Sequence, residues 1–127
     1  MLGDEIKKKV TPKSLPHNTL SAGTIIKGDI VLDIDSRLDG HIEGNIKCGA
    51  KIVIGAQASV KGNIEAVNAE IAGILNGDLS ISEKLILRSS AQVEGDIHTR
   101  ILEIESDARF NGICRMTNKT EEEPKGE

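Results

Sequence analysis

The chain has no Trp, no Tyr and a single Phe in 127 residues. Aromatic side chains bury the largest areas in a globular core, so their lack excludes a core organised around them. It also removes the stacking platform that single-stranded nucleic acids need, and the aromatic faces on which sugars dock. Only two cysteines are present, Cys48 and Cys114, too few for a disulfide framework. There is no run of about 18 apolar residues, so no spanning helix is predicted. The N-terminal stretch is basic but has no apolar h-region, and Gly3 stands one position too late for N-myristoylation. The expected compartment is therefore the cytoplasm. An excess of positive charge is missing as well, since the net charge is −4. Residues 1–21 carry +2 (Lys7, Lys8, Lys9 and Lys13 against Asp4 and Glu5), and residues 117–127 carry −2 (Lys119 and Lys125 against Glu121, Glu122, Glu123 and Glu127). The remaining −4 lies on the middle, and an acidic body argues against nucleic acid as a partner.

What the chain has instead is a repeat. Six stretches follow the order apolar, any, Gly, usually Asp or Asn, apolar. They are Ile26-Lys27-Gly28-Asp29-Ile30, Ile42-Glu43-Gly44-Asn45-Ile46, Val60-Lys61-Gly62-Asn63-Ile64, Leu75-Asn76-Gly77-Asp78-Leu79, Val93-Glu94-Gly95-Asp96-Ile97 and Phe110-Asn111-Gly112-Ile113-Cys114. Their starts lie 16, 18, 15, 18 and 17 residues apart. That period is too short for a helix pair and suits one coil of a β-solenoid.

Within each coil apolar and polar residues alternate, the period of a strand with one buried face. Ile42, Gly44, Ile46 and Cys48 alternate with Glu43, Asn45 and Lys47, and Ile52, Ile54, Ala56, Ala58 and Val60 follow. Later coils give Leu75, Leu79, Ile81, Leu85, Leu87 and Ala91, then Val93, Ile97, Leu102, Ile104 and Ala108. The pattern predicts about three short inward faces per coil. Corners are expected at Gly49-Ala50, Gly55-Ala56, Ser89-Ser90 and Ser106-Asp107. Stacked on the glycines, Lys27, Glu43 and Lys61 become neighbours, and Lys47 falls beside Glu65, pairings that disfavour a slipped register. The residue after each glycine forms an outward polar ladder of Asp29, Asn45, Asn63, Asp78 and Asp96, ending at Ile113. The Gly-Gly-x-Gly-x-Asp pattern of calcium-binding solenoids is absent, so the ladder is read as solvated and no metal or other cofactor is expected. Cys48 and Cys114 fall about four coils apart, ~19 Å at ~4.8 Å per coil, beyond disulfide reach. Both read as small apolar fillers.

An ordered body over 24–116 is expected between two disordered tails, 1–23 and 117–127. A solenoid leaves an apolar layer and open strand edges at each end, which soluble solenoids usually cover with a cap. No amphipathic cap is visible. The first coil opens with Ile25, Ile26 and Ile30, and the last contains Phe110, Cys114 and Met116. These are the candidate contact residues of the two ends. Contacts of like ends would each be two-fold, and head-to-tail stacking is equally allowed by the pattern. In the N-terminal tail, Leu2, Ile6 and Val10 recur every four residues beside Lys7, Lys8 and Lys9, a candidate contact with anionic lipid or a partner protein.

Together, the six unequal coils, Ile52-Val53-Ile54-Gly55 in the second, the polar tails and the ending Ala108-Arg109-Phe110-Asn111-Gly112-Ile113-Cys114-Arg115-Met116 resemble the bactofilins, bacterial polymer-forming cytoskeletal proteins. The resemblance covers roughly 24–116. It implies an all-β fold, a right-handed β-helix of about six short triangular coils. It also implies end-to-end assembly into non-polar filaments without a nucleotide. Further implications are a scaffolding role for cell-shape, cell-wall or polar-organisation proteins, and association with the inner face of the membrane through the N-terminal tail. The contact role of Phe110 at the C-terminal end draws support from the same resemblance.

Other functions fit less well. A left-handed β-helix acyltransferase would need hexapeptide repeats throughout, and only Ile54-Gly55-Ala56-Gln57-Ala58-Ser59-Val60 fits. Its histidine base has no counterpart with a placed partner: His41 and His98 read as surface residues, and His17 lies in the tail. Glycoside-cleaving β-helices cluster their carboxylates, whereas here the carboxylates are dispersed over outer faces. No enzyme activity is expected. The remaining alternative is a solenoid that binds partners along its sides without polymerising.

Overall fold

The computed structural model describes residues 17–116. In chain order the strands are β1 (Asn18–Leu20), β2 (Ile25–Lys27), β3 (Ile30–Leu32), β4 (Ser36–Leu38), β5 (His41–Glu43), β6 (Ile46–Cys48), β7 (Lys51–Ile54) and β8 (Ser59–Lys61). They continue as β9 (Ile64–Ile71), β10 (Ile74–Asn76), β11 (Leu79–Leu87), β12 (Gln92–Glu94), β13 (Ile97–Ile104), β14 (Arg109–Asn111) and β15 (Cys114–Met116). Every pairing is parallel and joins one coil to the next. The result is a β-solenoid of about six coils with three faces.

One face is the ladder β2-β5-β8-β10-β12-β14, made of three-residue strands. Their middle residues form an inward row, Ile26–Ile42–Val60–Leu75–Val93–Phe110. The other two faces share strands, because β9, β11 and β13 run on around a corner. At that corner β11 carries an extra residue between Ile81 and Lys84, a bulge against both neighbours. Unequal coil lengths are absorbed there and in the turns, so the inward rows stay aligned.

The core is a stack of thin aliphatic layers. Ile42, Ile46, Ile52, Ile54, Leu75 and Leu85 are all fully buried, and each contributes about 1.5–3 kcal/mol by burial, before the entropy of ordering it is subtracted. Glycines set the tight column between the first two faces. Gly28, Gly44, Gly62, Gly77, Gly95 and Gly112 have φ from +136° to +155°. A Cβ at Gly62 would overlap the carbonyl oxygen of Gly44 in the coil before it, whereas one at Gly28 would meet open space at the N-terminal end. Only glycine combines that dihedral with that approach.

The polar ladder is built into the backbone as well as exposed. Asp29 Oδ1 accepts the N–H of Asn45 (3.0 Å), Asn45 Oδ1 that of Asn63 (3.0 Å), and Asn63 Oδ1 that of Asp78 (2.9 Å). Asp78 Oδ1 then accepts from Asp96 (2.9 Å), and Asp96 Oδ1 from Ile113 (3.2 Å). Each rung thus satisfies a main-chain donor of the following coil at a corner where the strand ladder is interrupted.

The expected corners all fall outside strands, and Ala58, Ala91 and Ala108 close turns by donating their N–H to Gly55, Arg88 and Glu105. Lys27, Glu43 and Lys61 are register partners, and so are Lys47 and Glu65, as the stacking implied. Two differences stand out. Ala56, expected inward, is exposed at the tip of the Gly55–Ala58 turn. In addition, β1 pairs with β4 ahead of Thr24, with Leu20 half-buried against the core. The Pro and Ser residues around it hide the alternation that marks the other strands.

Candidate functional site at the two open ends

Full burial belongs to the inner coils. The buried apolar set begins at Leu38 and ends at Ile97, and the same inward rows lie half-open in the first and last coils. Among the described residues, β1, β2 and β3 at the N-terminal end each pair on one side only. At the C-terminal end the same holds for β14, β15 and the Ile101–Ile104 part of β13. Each end therefore presents three strand edges around an apolar layer, the feature that natural sheets usually blunt.

The C-terminal layer brings Phe110, Cys114 and Met116 together with Leu102 and Ile104. Phe110 extends the row above Val93 and is half-buried. Cys114 lies above Ile97, its Sγ 3.9 Å from Met116 Sδ. Burial pushes the Cys114 thiol up, so it stays protonated at neutral pH and behaves as an apolar filler. Met116 and Ile104 are 53% and 51% exposed although both point along inward rows, and among the described residues no further coil follows them.

At the N-terminal end, Ile26 and Ile30 occupy inward rows of the first coil, with Leu20 and Leu32 beside them. Ile25 stands apart: it pairs with His41 on the outer side of β2 and is 65% exposed on the flank. Asn18 takes an inward position, its Nδ2 donating to Ser36 Oγ (3.2 Å), so this layer is less uniformly apolar than the other. Leu2, Ile6, Lys7, Lys8, Lys9 and Val10 lie outside the described residues.

Sequence reasoning missed Leu20, Leu32, Leu102, Ile104 and Ile113 as end residues. For Ile113 a signal existed: it is the one apolar residue in a column otherwise made of Asp and Asn.

The flanks carry charge pairs rather than a reactive cluster. Lys51 Nζ, Glu70, Arg88 and Glu105 form an axial chain with contacts of 3.5, 2.9 and 2.7 Å. The Arg88 guanidinium holds both Glu70 and Glu105 below the usual carboxylate range. His41 Nε2 lies 3.0 Å from Glu43 Oε2, and this hydrogen bond lowers the Glu43 pKa. Among the described residues, no three His, Cys, Asp or Glu side chains converge as a metal would require. No helix among them is long and apolar enough to cross a membrane.

These features define a β-solenoid whose distinctive surfaces are its two open, apolar ends. Residues 18–115 match the family model Bactofilin, described as polymer-forming cytoskeletal. The chain belongs to the bactofilin family, a structural family of the cytoskeleton. No curated protein and no solved structure matches it.

Proposed function

We propose that this chain assembles end to end into a filament that needs no nucleotide and positions cell-shape or cell-wall proteins. The observation that carries the reading is the pair of apolar ends, each edged by three strands that are singly paired among the described residues. The family's polymer-forming description supports it. Phe110, with Cys114 and Met116, is the anchor of the C-terminal contact, since a packed aromatic in a desolvated centre is a good hot spot. Ile26 and Ile30 serve the N-terminal contact, with Ile25 at its rim. Like-to-like contacts, each two-fold, alternate along a filament without polarity.

Negative-stain electron microscopy of the wild type and Phe110→Arg, with circular dichroism on both, tests this. Filaments in the wild type and folded short particles in the variant are expected. A wild type that stays monomeric in several salts removes the polymer reading. The flank groove lined by Lys47, Glu65, Ser80 and His98 is then the surface to test for a protein partner. The reading of Leu2, Ile6, Lys7, Lys8, Lys9 and Val10 as a membrane or partner contact is tested by co-sedimentation with anionic vesicles. Absence of binding at low salt removes the lipid contact.

A further inference from the structure

The ladder of Asp and Asn side chains has a direction. At each of five rungs a side-chain oxygen reaches the backbone N–H of the next coil towards the C-terminus. The sixth rung receives such a bond from Asp96 but is Ile113, which has no acceptor to pass on. Its backbone is otherwise held as at the earlier rungs, with Gly112 at φ +155° and the N–H on Asp96. The Ile113 side chain thus occupies the place of a rung oxygen, at the rim of the last coil, and is 57% exposed.

At the other end, Asp29 is the first rung among the described residues, with no preceding rung there to serve its N–H. Head-to-tail stacking would set the last coil of one copy on the first coil of the next. Gly28 is compatible with that arrangement, since the space over it is open to a glycine carbonyl. Position 113 is not compatible, because an isoleucine would face the Asp29 N–H where every internal joint supplies an oxygen. An unmet donor in a closed joint is unfavourable, whereas an added aliphatic side chain favours an apolar counterpart. The more uniformly apolar of the two ends is the C-terminal layer of Phe110, Cys114, Met116 and Ile104, since Asn18 and Ser36 interrupt the other.

We propose that Ile113 sets the polarity of assembly: by ending the ladder it bars the N-terminal end of a second copy from the last coil and directs that coil to the C-terminal end of a second copy. The inference rests on the end-to-end assembly proposed above and adds the residue that chooses between its two geometries.

Electron cryomicroscopy of filaments of the full chain, of Ile113→Asn and of Ile74→Asn tests it, with circular dichroism confirming the fold of each. Ile74→Asn makes the same chemical change on the flank of β10, away from both ends. The wild type and Ile74→Asn are expected to show a two-subunit repeat with two-fold joints. Ile113→Asn, which restores a rung oxygen, is expected to lose that repeat, either for a one-subunit head-to-tail repeat or for pairs joined only at their N-terminal ends. Both losses remove the contact between C-terminal ends. Persistence of the two-subunit repeat in Ile113→Asn overturns this inference alone, and a head-to-tail repeat in the wild type overturns it together with the like-to-like geometry while leaving end-to-end assembly standing. A wild type that makes no end contacts overturns the assembly reading and this one with it.

Discussion

Phe110 stacks on Val93 as its register partner in the next coil, and the two differ sharply in cover: Val93 is 2% exposed, while Phe110 is only half-buried on a strand that pairs on one side among the described residues. The consequence for stability is graded along the row. Leu75→Ala, at a fully buried position in the middle, is expected to lose about 2–5 kcal/mol. Phe110→Ala should lose less than the ~3–5 kcal/mol of an enclosed phenylalanine when measured on unassembled chain. Urea midpoints at low protein concentration compare the two. A loss at Phe110 as large as that at Leu75 would mean that it acts mainly as a plug of its own coil.

Glycine substitutions should separate the column from its first member. Gly62→Ala drives a Cβ into the Gly44 carbonyl at φ +146°, and a loss above about 4 kcal/mol, or failure to fold, is expected. Gly28→Ala meets no atom within 4 Å and carries only the dihedral strain, about 1–3 kcal/mol. Thermal melts followed in the far ultraviolet report the difference.

The ladder makes a chemical distinction. Asn63→Ala removes the acceptor of the Asp78 N–H, a bond of 2.9 Å, and should cost about 1 kcal/mol because water can reach the site. Asn63→Asp keeps a side-chain oxygen in place and should retain most of that stability. Equal losses in chemical denaturation of the two variants would remove the capping role.

Acid should destabilise the flank chain. Glu70 and Glu105 are held below the ordinary carboxylate range, first by hydrogen bonds from Arg88. Their contribution is present above the unfolded glutamate value of about 4.3 and is lost as the pH falls through the lower folded values. Glu70→Gln should lower stability at pH 7 by about 1 kcal/mol or less and should shrink the drop between pH 5 and pH 3. Urea unfolding at the three pH values checks this, and an unchanged drop in the variant would assign the acid sensitivity elsewhere.

Much of the architecture was legible in the residues. A glycine every 15 to 18 positions, flanked by alternating Ile, Leu and Val, dictates a strand-turn coil, and the charges beside it dictate its register. The place of Phe110, Cys114 and Met116 in the last coil was readable because they lie in or directly after the last repeat. Leu20 was not, because it lies in a stretch rich in Pro and Ser, and Ile25, a candidate contact residue of the N-terminal end, lies on the outer side of β2. The sequence by itself determined the repeat, the inward rows and their alignment, since period-two patterning and glycine geometry are local. Only the tertiary structure decided what each row member does. The same inward position is core at Val93 and open surface at Phe110. The same rung is a backbone cap at Asp96 and an apolar rim at Ile113. Burial and hydrogen bonding in a solenoid come from the neighbouring coil, 15 to 18 residues away, and among the described residues each end coil has such a neighbour on one side only.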